Sequence, residues 1–306
     1  MKLVDLHQDI AFYYLTNINP PSFDKEAERH SDLPKLKRAG ADVVFGAVFP
    51  FLNTYGGWAP SVEAALDALK VYWRLAKQHG VAVVEKPGDL DKPGLKLVLV
   101  LEGADVLREA GDLELFHRLG VRAIGLTWNV DNKWASSCYS KKDRGLTAEG
   151  EELLKEAERL GVIIDLAHAS KQTALDVLQL WKKPLVISHA NVKSVHNHPR
   201  NVDDEVLKAL VDNGGVIGLT FIPSTISSQA SIPHLAKHFK YVKEKFGVEV
   251  LAIGTDYLGI STTPPGLESV DKIEALAKAL VEEGFAKEEV EAVFWKNAMR
   301  VLKAYF

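Results

Sequence analysis

The sequence predicts an α/β fold: a single-domain (β/α)8 TIM barrel taking in residues 1–306. Three observations carry this. Nine short apolar runs alternate with longer amphipathic stretches, no Pro/Gly/Ser-rich linker or charge block divides the chain, and polar, chemistry-bearing side chains recur where the runs end. Continuous apolar runs suit strands buried on both faces, as in a parallel sheet.

In chain order the runs are 3–7, 42–49, 81–85, 95–102, 121–128, 162–168, 184–189, 215–221 and 250–256. The run 81–85 is followed almost at once by turns at Pro87-Gly88 and Pro93-Gly94, so it reads as a peripheral piece and leaves eight for the barrel. Helical patterns fall between them, over Glu63–Gln78, Lys171–Leu180, Asp203–Asp212, Ile232–Phe246, Val270–Glu283 and Lys287–Lys296. Another, Thr147–Leu160, opens on a capping threonine and stops at Gly161. A doubly wound sheet would want a glycine-rich phosphate turn after the first strand, where this chain has His7-Gln8-Asp9.

Composition narrows the function. The 306 residues are 47% hydrophobic, ample for a packed core and incompatible with wholesale disorder. Charge nearly balances, 37 Lys+Arg against 41 Asp+Glu, so the concentrated basic face of a nucleic-acid or anionic-membrane binder is not expected. One cysteine, Cys138, can form no internal disulfide and points to a reducing compartment. No run approaches the ~20 apolar residues of a membrane helix, and Asp5, His7 and Asp9 stand where a signal peptide would be greasy. The expectation is a cytoplasmic protein.

Barrel enzymes carry their chemistry at the C-terminal ends of the strands. Those ends hold His7 and Asp9, Glu102, Trp128 and Asn129, His168, His189 and Asp256. Residues i and i+2 of a strand share a side, so His7 and Asp9 can reach one cation, and imidazole and carboxylate are natural zinc ligands. Glu102 follows five apolar residues and would be costly to bury alone. His168 and His189 each close an apolar run, and Asp165 suits a supporting carboxylate. His196 and His198 read as solvated loop residues, and His30, His79, His117, His234 and His238 as surface residues. No Gly-x-Ser-x-Gly elbow or phosphate loop is present.

Nine segments together resemble the membrane dipeptidase (renal dipeptidase) family of zinc peptidases, within the amidohydrolase-like barrels. They are DLHQD (5–9), LEGAD (101–105), LTWNVDN (126–132), GLTAEG (145–150), DLAHAS (165–170), ISHAN (187–191), PRNVDDE (199–205), IGTDYLG (253–259) and NAMRVL (297–302), in the family's order. The resemblance implies two zinc ions, with His7 and Asp9 on one, His168 and His189 on the other, and Glu102 bridging; cobalt or manganese suits the same donors. It implies a bridging water or hydroxide as nucleophile, made available near neutral pH by the two metals. It further implies Arg200 as receptor for the substrate's C-terminal carboxylate and Asp256 as proton handler near the substrate amine. A homodimer and a dipeptide substrate, L,L or L,D, follow from the same likeness, while the balanced charge and the short apolar runs add the expectation of no nucleic-acid or membrane partner.

One departure stands out. Trp128 occupies the place of a histidine thought to polarise the scissile carbonyl, and tryptophan offers one N–H donor and no titratable group. Losing an oxyanion donor typically costs ~10²–10³ in rate. Two alternatives therefore stand beside the dipeptidase reading: hydrolysis of another small amide, with Trp128 and Asn129 shaping its pocket, and a metal-binding homologue of weak activity.

Overall fold

In the computed structural model, which describes residues 1–306, eight parallel strands close into a ring. They are β1 (Leu3–Gln8), β2 (Ala41–Val48), β3 (Lys96–Leu101), β4 (Val121–Gly125), β5 (Ile163–Asp165), β6 (Val186–Ala190), β7 (Val216–Leu219) and β8 (Leu251–Ile253). Pairing of β1 with β8 and of β2 with β3 leaves the ring without a free edge. The run at 81–85 contributes only Ala82–Val83, laid against Lys96 and Leu97, outside the ring as the sequence suggested.

Alternation along each buried strand sorts side chains into two layers. Val4, Leu6, Val43, Phe45, Val98, Val100, Val186 and Val216 fill the barrel interior. Ala298, Met299, Val301 and Leu302 join them, so the helix Asn297–Leu302 closes the end opposite the strand termini. Leu97, Leu99, Leu101, Ile124, Ile187 and Ile217 point outward to meet Leu69, Leu153, Val177, Leu210 and Leu235 of the surrounding helices. Each such side chain contributes roughly 1.5–3 kcal/mol by leaving water.

The helices start where capping predicts. Ser61, Thr147 and Ser170 accept from the backbone N–H of Ala64, Gly150 and Thr173 at 3.0–3.1 Å, each cap worth about 1 kcal/mol. Ala148–Leu160 ends at Gly161, whose φ of 68° is left-handed backbone that favours glycine. No helix is long and apolar enough to cross a membrane.

Several expectations need correction. Val270–Glu283 divides into a 3-10 turn, Val270–Lys272, and the α-helix Glu274–Glu282. Lys287–Lys296 stays α-helical only to Glu291, then widens into a π turn before the terminal helix. A hairpin, Phe51–Thr54 with Gly57–Pro60, follows β2; its short strands between Pro50 and Pro60 carry no clear alternation. Strands β4, β5 and β8 end three residues before Trp128, His168 and Asp256, because the chain leaves the ladder to aim those side chains. His238 is buried rather than at the surface: its Nδ1 accepts from Val192 N–H at 3.1 Å and its Nε2 donates to Ile226 O at 3.0 Å.

Candidate metal centre

All the predicted ligands meet at the C-terminal mouth of the barrel. His7 Nε2 lies 3.3 Å from Asp9 Oδ2, 3.6 Å from Glu102 Oε2 and 3.7 Å from Asp256 Oδ1. The other carboxylate oxygen, Glu102 Oε1, lies 3.1 Å from His168 Nε2 and 3.7 Å from His189 Nε2. Glu102 thus turns one oxygen toward each group of donors.

Local backbone devices aim these side chains. Between Asp5 and Gln8, β1 advances three residues while β2 advances two, a bulge that turns His7 toward the mouth. Strand β6 does the same against β7 between Ile187 and Ala190, and there the extra residue turns His189. His168 and Asp256 take left-handed backbone, φ 66° and 63°, a strained choice for residues other than glycine. Asp9 lies beyond β1 as the N-cap of the helix Ile10–Thr16, so the simple i, i+2 strand rule does not explain its pairing with His7. Glu102 alone follows plain alternation from Val98 and Val100.

A supporting ring holds the donors. Asn129 Oδ1 takes the Nδ1–H of His168 at 2.8 Å, which leaves Nε2 as the lone pair; Asn129, expected at the substrate, thus orients His168 as well as lining the pocket. Ser188 Oγ lies 2.8 Å from His189 Nδ1. Asp165 accepts the N–H groups of Ala167 and Ser188, both at 2.9 Å, and ties β5 to β6. Asp5 does likewise for β1 and β8, accepting from Thr255 N–H at 2.9 Å and Thr255 Oγ at 2.7 Å.

This donor set fits metal cations. Two Nε2 atoms, His168 and His189, face each other at 3.0 Å beside a carboxylate oxygen, and both His7 ring nitrogens are buried without a hydrogen-bond partner. Lone pairs so crowded call for positive charge between them. The titration behaviour agrees. Burial lowers both imidazoles of the second group, His168 to about 3 with Arg200 adding to the effect, so each is the neutral form a metal takes. At His7, burial opposes the proton, but the Glu102 and Asp9 carboxylates overcome it and hold the imidazole well above its ordinary value. Burial would raise Glu102 too, yet His7 and His168 keep it well below the usual carboxylate range. Asp256 is pushed well above that range by burial and then by Asp9.

These donors open onto a cavity of about 320 Å³ lined by Glu102, His168, His189, Arg200 and Asp256 on its polar side. Arg200 is 7% exposed and in no ion pair; one N–H donates to His189 O at 3.0 Å. A second cavity of about 390 Å³ lies behind Arg200 and shares His168 with the first. Trp128 stands on the first cavity's wall, packed on Phe49 and Phe51 with ring centroids 5.1 Å away in each case.

Two contributors escaped the sequence reading. His198 lines the cavity, and its Nδ1 accepts the Arg200 N–H at 3.2 Å; only its nearness to Arg200 in sequence hinted at this. At Gly259 a Cβ would run into the Asp9 carboxylate, 2.8 Å from its Cγ, and would sit 3.0 Å from Asp256 Oδ1. A bare glycine gives no sign of such a close approach.

Comparison with known proteins gives a consistent answer. The family model for membrane dipeptidase (peptidase family M19) matches residues 1–305. An uncharacterized dipeptidase of Schizosaccharomyces pombe is 30% identical over 99% of this chain and 80% of its own length. Dipeptidase tcpJ of Claviceps purpurea is 32% identical over 66% of this chain and 50% of its own. Among solved structures, a metallopeptidase of Rhodobacter sphaeroides liganded with a phosphinate mimic of L-Ala-D-Ala superposes with a TM-score of 0.88 at 21% identity, covering 100% of this chain and 99% of that one.

Proposed function

Starting from a chain that belongs to the membrane dipeptidase family and is a metal-dependent dipeptidase, we propose that it uses a dinuclear centre to hydrolyse dipeptides bearing a free C-terminal carboxylate. The observation that carries the substrate end is Arg200, a buried guanidinium with no carboxylate partner, on the cavity that also receives Glu102, His168 and His189. A buried cation left unpaired is costly, and a substrate carboxylate is the partner its fork fits bidentately.

In this reading His7 and Asp9 would hold one metal and His168 and His189 the other, with Glu102 placed between the two groups of donors to serve both. Zinc ions, or cobalt or manganese, supply Lewis-acid polarisation of the amide and a water of lowered pKa when bound. Everything else falls to the chain. Arg200 fixes the carboxylate and with it the register of the scissile amide. Asp256, beside His7 and on the cavity wall, would be ionised next to bound cations, and its carboxylate would take a proton from the attacking water and return it to the leaving amine. Asn129 keeps His168 in the tautomer that presents Nε2.

The Rhodobacter sphaeroides ligand supports including L,D-dipeptides among the substrates. Residues 1–306 act as one catalytic unit in this proposal, and the single Cys138 favours a cytoplasmic setting. Trp128 brings one indole N–H and no titratable group to the cavity wall, so proton transfer at the carbonyl is not its role in this proposal.

The test is amino-acid release from L,L- and L,D-dipeptides by metal-reconstituted protein beside a chelated control. Metal-dependent release is the expected result. Protein holding two metals yet cleaving no dipeptide overturns the proposal.

A further inference from the structure

We infer that the aromatic wall made by Phe12, Phe49, Trp58 and Trp128 is a side-chain subsite selecting dipeptides whose N-terminal residue is large and apolar, aromatic above all. This rests on the dipeptidase reading and names its substrate class.

The wall is a packed unit. Phe49 meets Trp128 at 5.1 Å and 72°, Trp58 at 5.3 Å and 72°, and Phe12 at 5.6 Å and 90°, all edge-to-face. Trp58 and Trp128 close the group at 6.1 Å and 77°. Edge-to-face packing of this kind holds rings in fixed orientations. Phe51, itself 3% exposed, backs Trp128 at 5.1 Å. Yet the wall is not buried in the fold: Phe12, Phe49, Trp58 and Trp128 all line the cavity shared with Arg200 and Glu102, and Trp58 stays 41% exposed. Fixed aromatic faces on a cavity are surfaces waiting for an apolar group.

Position around the barrel assigns the occupant. Phe49 and the Trp58 hairpin follow β2, and Arg200 follows β6, four strands away, so the two face each other across the mouth. Between them lie Glu102, His168 and His189. A dipeptide whose carboxylate is on Arg200 and whose amide lies over those ligands has only its N-terminal residue left to reach β2, at ~3.3–3.6 Å per extended residue. Its amine finds Asp9 and Asp256 after β1 and β8, and its side chain is left to the aromatic wall. Beyond two indole N–H groups, the four wall side chains offer no hydrogen-bonding atom, so a charged side chain there would lose water without gaining a partner.

The experiment compares kcat/KM for Phe-Ala, Leu-Ala, Ala-Ala, Glu-Ala and Ala-Phe on the full metal-loaded chain, and repeats it in Trp58→Ala and Phe49→Leu. Phe-Ala is expected to exceed Ala-Ala by ~10–100-fold, with Glu-Ala below both and Ala-Phe gaining under threefold. The Phe-Ala to Ala-Ala ratio should shrink at least fivefold in each variant; because it is taken within one protein, lost folded enzyme cancels. No N-terminal apolar preference, a larger gain for Ala-Phe, or a ratio that survives both substitutions overturns the subsite. Equilibrium dialysis of Phe-Ala and Ala-Ala against metal-free protein separates the two failures. Tighter retention of Phe-Ala without cleavage of any dipeptide leaves the subsite standing and sinks the peptidase reading, whereas equal retention and no cleavage sinks both.

Discussion

Arg200→Met gives the sharpest prediction because activity and stability should move apart. The guanidinium is 7% exposed, has no acidic partner and spends one hydrogen bond on His189 O. Two parallel charge-assisted bonds to a substrate carboxylate, at about 1.5–3 kcal/mol each, amount to about 3–6 kcal/mol. Removing them should lower kcat/KM for a free-acid dipeptide by on the order of 10²–10⁴, while the C-terminal amide of the same dipeptide, a poor substrate at the outset, changes little. In the free protein the loss of one bond, about 1 kcal/mol, is set against relief of a buried cation without a counterion. The variant should therefore melt no more than a few degrees below the parent. The assay is steady-state hydrolysis of the acid and amide forms, with thermal denaturation of the same preparations. Equal losses on both substrates would refute carboxylate recognition, and a melting point lowered by 10 °C or more would make Arg200 a structural residue.

Four other outcomes follow from the geometry. Glu102→Ala should empty both metal positions, since one carboxylate serves His7 on one side and His168 on the other; metal analysis that still finds two ions per chain contradicts the bridge. Asn129→Leu, which removes the acceptor for His168 Nδ1–H, should weaken metal binding ~10–100-fold in a chelator competition, and unchanged affinity would free His168 of this dependence. Gly259→Ala should displace the Asp9 carboxylate and reduce metal occupancy without unfolding the barrel, measured by metal content beside circular dichroism. Burial raises Asp105 from 3.8 to about 6, so its penalty is absent below pH 3.8 and complete above pH 6, and stability falls as pH rises between them. Asp105→Asn should raise the melting temperature at pH 7.5 by the equivalent of about 3 kcal/mol and give almost no gain at pH 3; a gain independent of pH points to another cause.

The barrel was legible because its strands are buried on both faces, which writes them as continuous apolar runs, and because a start such as Thr147 and a stop such as Gly161 bound the helix between them. Where those signals fail, so does the reading. The hairpin at 51–60 is too short and proline-flanked to show a period, and the π turn at Ala292–Lys296 keeps a helical pattern while changing the register. His238 sits in a polar-looking helix, and only tertiary contact reveals that Val192 and Ile226 satisfy both its ring nitrogens.

At the mouth, residue types were legible and their aiming was not. Strand parity sends Glu102 inward, but the same rule carried from Val4 and Leu6, or from Val186, would turn His7 and His189 outward. The bulges in β1 and β6 reverse both. His168 and Asp256 reach the centre only through left-handed backbone. The left-handed backbone at His168 and Asp256, the orphaned His7 nitrogens and the unpaired Arg200 are all unfavourable in the protein alone, and all lie on one cavity or, for His7, directly behind its Asp9, Glu102 and Asp256 carboxylates. Scattered through the fold they would be unrelated defects. Collected around Glu102, they are strain that bound cations and a carboxylate would offset, the relation between local cost and function expected of a reactive centre.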